Sequence, residues 1–121
     1  MKILITGSSG FIGSHLTEYL VERGYEVVAF DRYNSNNHHG WLEKSKYKKK
    51  IEFVLGDIRD YDSVNKAMKS CQSVMHLAAL IGIPYSYISP TAYIKTNVEG
   101  TLNVLESAKN LKLKQVIITS T

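Results

Sequence analysis

Along the chain, short runs of branched apolar residues alternate with stretches in which apolar residues return every third or fourth position. Strands are predicted at 2–6, 25–30, 51–55, 73–77 and 114–119, and helices at about 11–23, 61–70 and 91–110. In the first helix the recurring apolar positions are Phe11, Ile12, Leu16, Tyr19 and Leu20. Residues 34–50 carry neither period and read as a poorly ordered connection. The strand runs are rich in Val, Ile and Leu without clean alternation, as in strands covered on both faces. Right-handed crossovers then give an α/β fold with a doubly wound parallel sheet, five strands in the order 3-2-1-4-5. No repeat, low-complexity tract or linker interrupts the pattern, so residues 1–121 read as one domain.

The first strand runs straight into Thr6-Gly7-Ser8-Ser9-Gly10-Phe11-Ile12-Gly13, and a helical period starts inside that turn. The opening N–H groups of a helix lack internal partners and its dipole favours negative charge, so such a corner suits phosphate. Gly7 allows the sharp turn, Gly10 admits a pyrophosphate close to the backbone, and Gly13 lets the helix pack close to the strand. Three glycines also serve plain turns. Their position at a strand–helix junction is what favours the phosphate reading. The second strand ends at Asp31, a carboxylate placed to accept the hydroxyls of an adenosine ribose and to repel a 2′-phosphate, which favours NAD over NADP. Arg32 beside it pulls the other way, and Asp31 taken alone also reads as a strand terminator or helix cap.

Composition narrows the partners. No apolar run approaches the roughly 20 residues of a membrane span, and the first residues lack a signal peptide's plan. The single cysteine, Cys71, cannot form an internal disulfide and suits a reducing cytoplasm, where it reads as a small buried filler. Much of the +4 net charge comes from Lys44, Lys46, Lys48, Lys49 and Lys50, one run without stacking aromatics or a helix–turn–helix pattern. It reads as a solvated loop, and a nucleic-acid partner is not expected. His38 and His39 have no cysteine or carboxylate at ligand spacing, so no metal site is expected.

The remaining unusual residues fall at the strands' carboxyl ends, where doubly wound sheets bind ligands. Asp57 can accept from an adenine amino group while Ile58 packs the ring, and Asp60 reads as the N-cap of the following helix. His76-Leu77-Ala78-Ala79 supplies small residues against which a flat cofactor can lie, and Thr119-Ser120-Thr121 places hydroxyls on the same rim.

Residues 6–16 resemble the cofactor turn of the extended short-chain dehydrogenase/reductase family, the NAD-dependent nucleotide-sugar epimerases and dehydratases. The resemblance runs from residue 2 to 121 and implies the Rossmann fold. Asp31, Gly56-Asp57-Ile58 and His76-Leu77-Ala78-Ala79 fall where that family's ribose, adenine and mid-cofactor contacts fall. Asn97-Val98-Glu99-Gly100-Thr101 resembles its Asn-Val-x-Gly-Thr helix, which makes Asn97 a cofactor-side contact. Thr121 matches the catalytic Ser/Thr. Residues 80–90 are similar to the loop of 4,6-dehydratases acting on UDP-N-acetylglucosamine in legionaminic-type pathways. Within them Tyr85, Ser86 and Tyr87 either offer hydroxyls to substrate or simply pack.

For mechanism, the resemblance implies hydride transfer from C4 of the sugar to NAD, a tyrosinate that removes the hydroxyl proton, and Thr121 hydrogen-bonded to that oxygen. It implies a homodimer for the complete enzyme. The chain departs from the family in one respect: none of its eight tyrosines is followed four residues later by lysine, Tyr19 having Arg23 there. These residues are therefore expected to be an N-terminal cofactor portion, truncated before the substrate domain and inactive alone, with an edge strand that favours self-association. Two alternatives stay open: a non-catalytic dinucleotide-binding module, and a fragment of a UDP-sugar 4-epimerase or decarboxylase.

Overall fold

The computed structural model describes residues 1–120. Five parallel strands, β1 (Lys2–Thr6), β2 (Glu26–Arg32), β3 (Ile51–Gly56), β4 (Ser73–His76) and β5 (Gln115–Ile118), form one sheet in the order β3-β2-β1-β4-β5. This is the predicted Rossmann arrangement. The order in which strands are added reverses at β1, whose two neighbours continue into different layers. Thr6 stands in register with Phe30 on one side and His76 on the other, so β1 and β4 end at one level while β2 runs on to Arg32.

Alternate residues of a strand face opposite sides. Leu4, Val28, Phe30 and Val74 therefore join one core with Val64, Met68 and Val104, beneath α2 (Tyr61–Met68) and α5 (Gly100–Asn110). Ile3, Ile5, Val27 and Ala29 join a second core with Leu20 and Val21 of α1 (Phe11–Glu22) and with Leu42. Burial on both faces explains why β1 reads as an unbroken apolar run. Truncating a side chain as enclosed as Leu4 costs about 2–5 kcal/mol.

Three expectations need correction. Residues 34–50 are ordered by single anchors. Two 3₁₀ turns, Gly40–Leu42 and Lys48–Lys50, punctuate this strap, Leu42 is fully buried, and the His39 ring stacks on Phe53 at 3.9 Å. The helix expected over 91–110 is broken into α4 (Pro90–Tyr93), a π-helical turn (Ile94–Glu99) and α5, and a short α3 (Ile83–Ile88) precedes it. In α1 the buried residues include Gly13, Ser14 and Thr17, while Phe11 and Ile12 are more than 60% exposed. The hydroxyls of Ser14 and Thr17 turn back onto the carbonyls of Phe11 and Gly13, which lets small polar residues face the sheet.

Candidate cofactor site

The site forms where β1 leaves the sheet. Gly7 has φ of +71° and donates its N–H to the Phe30 carbonyl at 3.0 Å. It lies so close to the start of the next crossover that a Cβ would stand 2.8 Å from the Ala78 nitrogen. Gly13 packs tightly too, but against the turn itself: a Cβ there would sit 2.0 Å from the Gly7 carbonyl oxygen. Gly10 is different, since a Cβ there would meet only that oxygen, at 3.4 Å, and otherwise project into open space. Gly10 is the N-cap of α1, no side chain caps the helix, and its first turn carries no acid. Among the described residues, the N–H groups of Phe11, Ile12 and Gly13 have no acceptor. The corner thus presents bare donors and the positive end of a helix dipole.

A buried chain of hydrogen bonds fixes β4 against this turn. Thr6 Oγ1 accepts from the N–H groups of Leu77 and Ala78 at 3.1 and 3.2 Å, which fills its lone pairs. Its own hydrogen therefore goes to His76 Nδ1, 2.6 Å away. The ring proton then lies on Nε2 and donates to Thr101 Oγ1 at 2.9 Å, whose hydrogen goes to the Asn97 carbonyl at 2.7 Å. His76 is 3% exposed, and burial holds its pKa below the ordinary value, in keeping with this neutral tautomer.

Two clefts meet over Gly7, Ala78 and Ala79. One, of about 200 Å³, lies over the ends of β2 and β3 and is lined by Phe30, Asp31, Arg32, Asp57, Ile58 and Arg59, with Leu80 and Thr96 closing its far side. The other, of about 720 Å³, lies between the α1 N-terminus and β5 and is lined by Gly10, Phe11, Ile12, Gly13, Leu77, Ile81, Thr119 and Ser120. Charge is concentrated in the first. Arg59 grips Asp57 through Nε, a second guanidinium nitrogen at 2.6 Å and its backbone N–H, and this pairing holds the Asp57 carboxyl below the usual carboxylate range. Asp31 accepts from the Ser9 N–H at 2.9 Å and from the hydroxyls of Ser8 and Ser9.

Some residues stand differently from their expected roles. Ile58 is only 6% exposed, with its side chain against Gly100, so the core claims most of the surface expected to cover a ring. Asn97 lines neither cleft. Its amide accepts from the Leu80 N–H at 2.8 Å and donates to the Leu80 carbonyl at 2.9 Å, pinning the loop after β4. Thr119 lines the larger cleft while its hydroxyl donates to the His76 carbonyl at 2.7 Å. Tyr85, Ser86 and Tyr87 lie on α3 outside both clefts: Tyr85 faces the Tyr93 ring, Ser86 bonds the Ile83 carbonyl, and Tyr87 is 83% exposed. Asp60 caps α2 by accepting from Asp62 N–H. Thr121 lies outside the described residues. Sequence reasoning missed Arg59, whose opposite charge two residues after Asp57 was the available signal, and the two serines that face Asp31. Thr96 carried no signal.

The GDP-mannose 4,6 dehydratase family profile matches residues 4–121. The chain belongs to this family. A UDP-N-acetyl-alpha-D-glucosaminuronate decarboxylase of Bacillus cytotoxicus is 37% identical over 124 residues, covering 99% of this chain and 36% of that protein. A Thermus thermophilus UDP-glucose 4-epimerase solved in complex with NAD superposes with a TM-score of 0.85 at 33% identity, over 100% of this chain and 38% of the other. A dTDP-glucose 4,6-dehydratase from Streptomyces venezuelae, solved with NAD bound, gives 0.83 at 29% identity over 96% of this chain and 38% of that one. The chain spans less than two-fifths of the length of these family relatives. No described helix is long and apolar enough to cross a membrane, and no described cluster of His, Cys, Asp and Glu could hold a metal.

Proposed function

We propose that these residues form the NAD-binding part of a nucleotide-sugar enzyme, a 4,6-dehydratase that belongs to the cytoplasm and acts as a homodimer. The observation that carries this reading is the uncapped α1 N-terminus lining a cleft that reaches Thr119 and that meets, over Gly7, Ala78 and Ala79, a second cleft lined by Asp31. The residues fit a dinucleotide: Gly10 leaves vacant the space that a Cβ would fill, beside donors with no partner. The N–H groups of Phe11, Ile12 and Gly13 would hold the pyrophosphate. Asp31 would accept from the adenosine ribose, with Arg32 at the same rim, and Asp57 and Ile58 would border the adenine. Leu77, Ala78 and Ala79 would line the middle of the cofactor, Asn97 would keep their loop in place, and Thr119 would flank the far end.

When bound, NAD supplies a reversible hydride acceptor for C4 of the sugar. The apolar walls of the larger cleft would exclude water there, and Thr121 would hydrogen-bond the sugar oxygen. Tyr85, Ser86 and Tyr87 would offer hydroxyls to the substrate from α3. Relatives named as a 4-epimerase and a decarboxylase favour a second reading, in which the same cofactor portion serves one of those reactions. Incubating the full-length polypeptide with UDP-N-acetylglucosamine, UDP-glucose and UDP-glucuronic acid, and reading products by NMR, separates them. A 4-keto-6-deoxy product supports the dehydratase, and an inverted C4 or loss of carbon dioxide supports the second reading. Cofactor binding without conversion supports a non-catalytic dinucleotide module.

A further inference from the structure

The segment Leu80-Ile81-Gly82, which links β4 to α3, is fastened at both ends by side chains four residues apart. Asn97, in the π turn, accepts from the Leu80 N–H at 2.8 Å and donates to the Leu80 carbonyl at 2.9 Å. Tyr93, the last residue of α4, donates its hydroxyl to the Gly82 carbonyl. The partners fix these directions, because a backbone N–H only donates and a carbonyl oxygen only accepts. The Ser86 N–H, at 3.3 Å, takes the other lone pair of the Gly82 carbonyl.

Ile81 stands between the two clamps. Its backbone is held by its neighbours, yet its side chain is 88% exposed and lines the larger cleft with Phe11, Ile12, Leu77 and Thr119. An aliphatic side chain held out in this way adds little burial to the fold. It gains burial from whatever enters the cleft. The same cleft is lined by Gly10, Phe11, Ile12 and Gly13, the start of α1 with its bare donors. A dinucleotide whose pyrophosphate meets those donors, with its adenosine toward Asp31, must lay its other half along this cleft. The flat face of a nicotinamide ring offers the apolar surface that Ile81 lacks.

Resting on the reading that these clefts take NAD, we propose that Ile81 is a binding residue for the nicotinamide half of the cofactor and that Tyr93 is the residue that positions it. The test is calorimetric titration of the full chain with NAD and with ADP-ribose, which keeps both riboses and the pyrophosphate but lacks the nicotinamide ring. It is run on the wild type, Ile81→Ala, Ile81→Val, Tyr93→Phe and a variant carrying both Ile81→Ala and Tyr93→Phe. Position 81 is almost wholly exposed, so its truncation should leave the fold intact, which circular dichroism checks. Ile81→Ala should bind NAD about tenfold more weakly, as expected when a ring covers about half of the side chain, and ADP-ribose within about twofold of the wild type. Ile81→Val should keep NAD affinity within about threefold. Tyr93→Phe should weaken NAD by about fivefold, the scale of one hydrogen bond, and add nothing once Ile81 is alanine. An Ile81→Ala variant that binds NAD as the wild type does, or loses NAD and ADP-ribose alike, overturns the proposal and leaves the NAD site intact. A Tyr93→Phe effect that persists undiminished without Ile81 overturns the positioning role. No NAD binding by any folded form overturns the NAD reading and the proposal with it.

Discussion

At the Asp31 end of the cleft the carboxylates already have partners: Asp57 is gripped by Arg59, and Asp31 takes three donors from Ser8 and Ser9. At the Thr119 end almost nothing is engaged. Phe11 and Ile12 stand out into solvent and the first N–H groups of α1 have no acceptor. A ligand entering the first region exchanges one hydrogen bond for another, which changes free energy little. A ligand entering the second covers apolar surface and meets donors that otherwise see only water. Specificity should therefore reside at the Asp31 end, and most of the affinity at the turn.

The strongest way to break this contrast is Gly13→Ala, which drives a methyl into the Gly7 carbonyl. It should abolish measurable NAD binding and destabilise the fold by about 3 kcal/mol, read by titration and by denaturant unfolding. Gly10→Ala sharpens the contrast by separating the site from the fold. The added methyl reaches into the larger cleft, so NAD affinity should drop by about tenfold or more, while stability changes by about 1 kcal/mol or less.

The junction between the two ends should respond to acid. Burial holds the His76 pKa below its ordinary 6.5, so on acidification the unfolded chain takes up the proton before the folded one. The stabilisation is complete above pH 6.5 and is lost as pH falls toward the lowered value. Unfolding midpoints should decline over that window, and a His76→Gln variant, already destabilised, should have a flatter profile. The smallest effect belongs to Arg59→Ala. The pair is partly exposed, so its loss should cost less than about 1 kcal/mol. Carboxyl NMR titration should meanwhile show the Asp57 pKa rising toward the ordinary range.

The turn region was legible because its signals are local. Three glycines at a strand-to-helix change of period describe a geometry few other arrangements need, and both faces of β1 are apolar because both are covered. The strap was not legible because it is held by one buried leucine, one stacked histidine and one backbone donor to Ser9, none of them periodic. The π turn at Ile94–Glu99 escaped notice because a widened turn leaves the apolar spacing almost unchanged. Ile58 and Asn97 show a different gap. Their positions by the cleft followed from sequence, but packing against Gly100 and pairing with Leu80 determine how much of each side chain remains for a ligand. Among the described residues β5 forms one edge of the sheet, as the predicted strand order requires, and Val116, Ile117 and Ile118 are each more than a third exposed.

The central claim is a dinucleotide corner that chooses NAD through Asp31. Calorimetric titration of the chain with NAD and with NADP, repeated on Asp31→Ala, tests it directly. The account predicts saturable NAD binding, markedly weaker NADP binding, and a variant in which NAD weakens and the preference shrinks. A chain that is folded by circular dichroism yet binds neither dinucleotide, or binds both equally with and without Asp31, would contradict it.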